Sequence, residues 1–122
     1  MPRVLIADDE PALLRVMTQY LARLGYEVAA FPTAQEAWET FQTAPATFSL
    51  VIVDATLDQM PGEELLDRVR ALNPRIACLL SSGYPVDLET LKPELRARTG
   101  FLQKPFTPSM LAEEVARLLE QP

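Results

Sequence analysis

The stretch LVIVDATLD, Leu50 to Asp58, decides how this chain folds. Four consecutive apolar residues, Leu50 to Val53, fit a strand buried on both faces, as in a parallel sheet; a half-exposed antiparallel strand would alternate. The run ends abruptly at Asp54. A carboxylate there lies at the carboxyl end of a central strand, where open α/β sheets place their ligand sites.

Toward the N-terminus, RVLIA (Arg3 to Ala7) is a second short apolar strand, and it too runs into acids, Asp8, Asp9 and Glu10. Pro11 suits a first helical turn, Leu14, Met17, Leu21 and Leu24 recur at helical spacing, and Gly25 stops the helix. EVAAF (Glu27 to Phe31) reads as a strand, and Thr33 with Glu36 is a capping-box signature for a helix whose apolar face is Ala37, Trp38 and Phe41. The single Trp38 is a packing residue in this reading.

Toward the C-terminus, the loop ATLDQMPG leads into a helix with Leu65, Val69 and Leu72 on one face and Asn73-Pro74 as its stop. IACLLS (Ile76 to Ser81) is a fourth strand, running into Ser82 and Gly83. From Tyr84 to Thr99 the leucines at 88, 91 and 95 have helical spacing, but Pro93 predicts a short or broken helix. Phe101 to Gln103 is a brief last strand ended by Lys104-Pro105, and Thr107 with Pro108 opens a helix bearing Leu111, Val115, Leu118 and Leu119. Strands alternating with helices predict an α/β fold: a doubly wound, five-stranded parallel sheet, flavodoxin-like, in the order 2-1-3-4-5.

Composition narrows the function. The 122 residues suit one domain with a real core. A formal net charge of −6 opposes binding to nucleic acid or anionic membranes, which needs clustered Lys and Arg. The absence of histidine removes His-based triads, His metal sites and an internal phosphohistidine. The single Cys78, in an apolar run, excludes an internal disulfide and reads as a buried hydrophobe. With neither a membrane-length apolar run nor a signal-peptide layout, a cytoplasmic location is expected.

In the expected strand order Asp8, Asp9, Asp54, Ser82 and Lys104 converge on one crevice. Singly, each has an ordinary explanation as a cap, a turn residue or a solvated charge. Together they are chemically coherent. Crowded carboxylates repel unless a cation is present, and hard oxygen ligands without His or Cys select Mg²⁺ over zinc. Asp54 can then act as a nucleophile toward phosphorus, with Lys104 and Mg²⁺ neutralising phosphoryl charge and the Ser82 hydroxyl donating a hydrogen bond.

The motifs IADDE, VIVDATLDQMPG, LLSSG and FLQKPF, in this order and at these intervals, resemble the receiver domain of two-component response regulators over essentially the whole chain, residues 1–122. The resemblance implies Asp54 as phosphoacceptor; Asp9, Asp54 and the Thr56 carbonyl as Mg²⁺ ligands, with Asp8 acting through water; and Lys104 as the family's invariant lysine. It implies Ser82 and Phe101 as switch residues, a cis Lys104–Pro105 bond, and a histidine kinase or histidine phosphotransfer protein as donor, with a downstream protein target. Ser82 is chosen over Ser81 because Gly83 follows it and its interval to Lys104 agrees with the family; Ser81 then points elsewhere by alternation. The SSGYP wording also resembles receivers of hybrid histidine kinases.

Three positions depart from the family pattern: Asp58 stands where proline is usual, Phe101 lacks the commoner tyrosine's hydroxyl, and Pro93 interrupts the fourth helix. Two other classes stand beside the phosphoacceptor reading. A receiver-like interaction module acting without phosphorylation would have no need of Mg²⁺. A phosphohydrolase would commonly carry a second acid where Thr56 stands, and a flavin protein a hydroxyl- and glycine-rich loop where the first strand meets acids.

Overall fold

The computed structural model describes residues 2–57 and 60–120. Its five parallel strands are β1 (Arg3–Ala7), β2 (Glu27–Phe31), β3 (Leu50–Asp54), β4 (Ala77–Ser82) and β5 (Thr99–Gln103), in the order β2-β1-β3-β4-β5. The expected doubly wound sheet is therefore the one found. The all-apolar run at Leu50 to Val53 has its physical reason here: β3 lies at the centre, paired to β1 and β4, and every residue in it is buried.

Alternation divides the sheet into two cores. Val4, Ile6, Leu50, Ile52, Ala77, Leu79 and Leu102 pack against α1 (Pro11–Arg23) and α5 (Pro108–Glu120) through Met17, Leu21, Leu111, Val115 and Leu118. Leu5, Ala7, Val51, Val53, Cys78 and Leu80 pack on the other face, against α2 (Ala34–Thr43) and α3 (Gly62–Leu72). Each fully buried Leu or Phe there contributes about 1.5–3 kcal/mol of transfer free energy. Trp38 is half-buried, stacked on Phe41 at 6.2 Å between ring centroids.

Local signals fix the helix ends. Pro11 occupies the first turn of α1, and Gly25 follows its end at φ 100°, a conformation that favours glycine. The Thr33 hydroxyl accepts from the Glu36 amide at 3.2 Å to start α2. Asn73 ends α3, and its side-chain amide donates to the carbonyls of Pro45 and Phe48.

Four expectations need adjustment. β4 begins at Ala77 and includes Ser82, and β5 begins earlier, at Thr99, because the ladder between them already runs from Cys78↔Thr99 to Ser82↔Gln103. Leu72 is exposed, and Leu66 joins Leu65 and Val69 in the core instead. In the segment after β4, Pro93 opens a helix rather than interrupting one. A 3-10 turn (Leu88–Thr90) precedes the single-turn α4 (Pro93–Arg96), with Lys92 held extended before the proline. Leu91 and Leu95 are buried all the same. No helix among the described residues is long and apolar enough to cross a membrane.

Candidate functional site

The stripe facing α1 and α5 ends in chemistry. Two positions beyond Ile6, Ile52, Leu79 and Leu102 stand Asp8, Asp54, Ser81 and Lys104. Asp8 and Asp54 are 1% and 4% exposed, so their charges depend on protein partners. Lys104 supplies them: its Nζ lies 2.9 Å from Asp54 Oδ2, 3.1 Å from Asp8 Oδ2 and 3.1 Å from Glu10 Oε2. The Lys104–Pro105 peptide bond, at the end of β5, is cis.

Asp54 is the best-satisfied acid. Its Oδ1 accepts from both the backbone amide and the hydroxyl of Thr56 at 2.9 Å. Burial works to raise its carboxyl pKa, but those donors and Lys104 outweigh burial and hold it below the ordinary value. Asp8 goes the other way. Burial pushes it up, and the Glu10 amide and Lys104 offset this only in part. Burial also opposes the charge on Lys104, yet the Asp54, Asp8 and Glu10 carboxylates keep its pKa above the usual lysine value.

Asp9 is exposed beside them, and carboxylate oxygens of Asp8, Asp9 and Asp54 all lie within 4.8 Å of one another. Asp8 Oδ2 is buried, ion-paired to Lys104 Nζ at 3.1 Å and without a hydrogen bond from any other described group. Three hard carboxylate ligands brought this close together suit a divalent cation such as Mg²⁺.

A cleft of about 540 Å³ opens over these groups, lined by Asp9, Glu10, Asp54, Thr56 and Lys104 on its polar side and by Leu13, Tyr84 and Phe106 on its apolar one. Ser82 does not line it. The Ser82 side chain is buried on the opposite face of β4, where its Oγ accepts the Tyr84 amide at 3.0 Å. Phe101, half-buried, packs on that same face. The structure therefore gathers Asp8, Asp9, Asp54, Thr56 and Lys104 and sets Ser82 and Phe101 on the other side. Asp58 lies outside the described residues.

Sequence reasoning passed over Glu10 as a partner of Lys104, and Leu13, Tyr84 and Phe106 as cleft walls. The only signal for Glu10 was its place in the run of acids after β1.

Helix α3 meets the loop after Asp54 at Gly62, where an added Cβ would stand 2.8 Å from both Ala55 Cα and the Asp54 carbonyl oxygen. Backbone cannot swing aside as a side chain can. Gly62→Ala is expected to destabilise the domain by about 1–3 kcal/mol, read as a lower urea midpoint; an unchanged midpoint would show that the loop yields freely.

The family model for the response regulator receiver domain matches residues 4–116. The chain belongs to that family. This receiver domain is 32% identical over 123 residues to the chemotaxis protein CheY1 of Helicobacter pylori, covering 96% of each chain. It is 28% identical over 119 residues to the response regulator receiver protein CpdR of Brucella abortus, covering 98% of each. The solved receiver domain of the hybrid histidine kinase CckA superposes with a TM-score of 0.84 at 28% identity, covering 97% of this chain and 99% of that one. Against the NtrC transcriptional regulators, such as that of Azospirillum brasilense, the chain spans about a quarter of their length. Receiver domains are regulatory phosphoacceptor domains of two-component signalling rather than enzymes of the turnover kind, and they generally bind Mg²⁺ at an acidic pocket. They interact with histidine kinases or phosphotransfer proteins and with downstream effectors.

Proposed function

We propose that this receiver domain takes a phosphoryl group onto Asp54 from a phosphohistidine of a histidine kinase or phosphotransfer protein and assists that transfer itself. The observation that carries this reading is the buried pair of Asp54 Oδ2 and Lys104 Nζ at 2.9 Å, beside two further carboxylates. The depressed Asp54 pKa keeps the nucleophile ionised at neutral pH. Asp54 would form the new oxygen–phosphorus bond as the phosphorus–nitrogen bond of the donor breaks, the electron pair leaving on the imidazole nitrogen. Lys104 would neutralise charge on the phosphoryl oxygens.

Asp9, Asp54 and the Thr56 carbonyl would hold Mg²⁺ directly and Asp8 through water; when bound, the ion supplies further neutralisation of the phosphoryl charge. Ser82 and Phe101 serve in this reading as the switch. For its hydroxyl to turn toward the phosphoryl group, Ser82 must give up the Tyr84 amide it now accepts, which ties the chemistry to the chain beyond β4. Residues 1–122 act as one receiver domain in the cytoplasm, signalling to a downstream protein.

Intact-protein mass spectrometry after incubation with acetyl phosphate and Mg²⁺ tests the reading. One added phosphoryl group is expected, dependent on Mg²⁺ and absent in Asp54→Asn. Failure to add the group, together with failure to bind beryllofluoride, would leave a module that acts by surface contact alone.

A further inference from the structure

Among the described residues three buried side-chain nitrogen or oxygen atoms lack a hydrogen-bond partner, and two of them flank Asp54: Asp8 Oδ2, just past the end of β1, and Ser81 Oγ, on β4. The first faces the Lys104 ammonium at 3.1 Å. The second has no such partner. Ser81 is 1% exposed, and a buried hydroxyl without a partner lowers stability, so its presence asks for a reason.

Its position supplies one. Ser81 stands in register with Asp54 on the adjacent strand, and continued alternation from Ala77 and Leu79 puts it on Asp54's face of the sheet, away from Ser82. β4 also separates β3 from β5. To bring Nζ to Asp54, the Lys104 side chain must reach from β5 past β4 on the face that carries Ser81. The Ser81 backbone is fixed, since its carbonyl accepts the Ala55 amide at 2.8 Å, leaving the hydroxyl free to turn about one bond.

We propose that Ser81 is a positioning residue for Lys104, its hydroxyl accepting from the ammonium once a phosphoryl group on Asp54 draws Nζ away from the carboxylates. The inference rests on the phosphoacceptor reading above. In the resting domain Lys104 faces three carboxylates and leaves Ser81 unpartnered. In the phosphorylated domain that set of acceptors changes, and Ser81, in register with Asp54 on the face the lysine reaches across, offers an acceptor to fill a vacated place.

The test compares wild type with Ser81→Ala, Ser81→Val and Ser81→Thr in phosphoryl uptake at saturating acetyl phosphate, beryllofluoride affinity and thermal midpoint, all with Mg²⁺. Loss of the hydroxyl is expected to slow uptake and weaken beryllofluoride binding by about fivefold to tenfold in both Ala and Val, while their midpoints rise because an unpaired polar group has gone. Ser81→Thr, which keeps the hydroxyl, is expected to retain wild-type rates. A merely structural serine gives the raised midpoints with unchanged uptake and affinity, and that result overturns the inference while the phosphoacceptor reading stands. A wild type that takes up neither phosphoryl group nor beryllofluoride overturns both.

Discussion

Lys104→Met is expected to cut phosphoryl uptake by Asp54 about 10²–10³-fold and to destabilise the domain by about 3–5 kcal/mol at neutral pH. The first effect follows from removing the one cation that, among the described residues, is aimed at Asp54 Oδ2. The second follows from what stays behind. Asp8 and Asp54 are almost wholly buried, and without the ammonium they are two like charges on neighbouring strands. A total stability of about 5–15 kcal/mol makes such a loss large.

The pH dependence gives the test its sign. In the wild type Asp54 is held below the ordinary carboxyl pKa, so its contribution is present above that value and lost as pH falls through the depressed one. Asp8, already raised by burial, does the opposite: its protonated form favours folding, and that contribution is lost as pH rises through the folded value. Removing Lys104 shifts both acids upward. The variant's deficit is therefore largest at neutral pH and narrows on acidification, and Mg²⁺ relieves it more than it stabilises wild type. Urea denaturation at pH 7 and pH 4.5, each with and without Mg²⁺, reads all of this. A deficit that is the same at both pH values would mean that the ion pair is not what stabilises these buried acids.

The parts of the site visible in sequence were those fixed by strand ends. Asp54 and Asp8 follow apolar runs, and Lys104 follows the last strand, so a strand order was enough to bring them together. Glu10 was invisible because its usefulness depends on a side chain reaching Lys104, which is 94 positions away, while its backbone does the ordinary work of a helix N-cap without a side-chain cap bond. Ser81 was partly legible. Alternation correctly separates it from Ser82, but only the register with Asp54 shows that its face is the one carrying the acids and the lysine.

The fold was legible for a similar reason, since β1 from Val4 onward, β3 and β4 are buried on both faces and apolar up to the ligand end. The segment from Tyr84 to Thr99 was not, beyond the disruption at Pro93. Leucine spacing there satisfies a helix, yet Leu91 reaches the core from the extended residue just after a 3-10 turn and Leu95 from a single helical turn. What holds so short an element in place lies on another helix, where no local pattern reports it.

That element is held by Arg70, which gives the second large prediction. An arginine in the last turn of a helix reads as a solvated charge favoured by the helix dipole. Arg70 is instead buried, and its guanidinium donates to the carbonyls of Ile76 at 2.8 Å, Ala97 at 2.7 Å, Arg98 at 3.2 Å and Glu94 at 3.3 Å, and to Thr99 Oγ1 at 3.2 Å. Ile76 leads into β4; the other four acceptors end α4 and carry the chain through Arg98, a non-glycine residue at φ 54°, into β5. Arg70→Met keeps the apolar stem and removes every donor, leaving several carbonyls without their partner. The expected loss is about 3–5 kcal/mol, less than the sum of the individual bonds because they share one group. Arg70→Lys is expected to recover little of it, since a single ammonium cannot bridge acceptors arranged around a planar fork. Urea denaturation measures the loss, and native-state hydrogen exchange should place the increased opening at residues 93–99, with β1 and β3 protected in proportion to global stability. A loss under about 1 kcal/mol would mean that water replaces the guanidinium at these carbonyls, and that the short α4 is held by Leu91 and Leu95 alone.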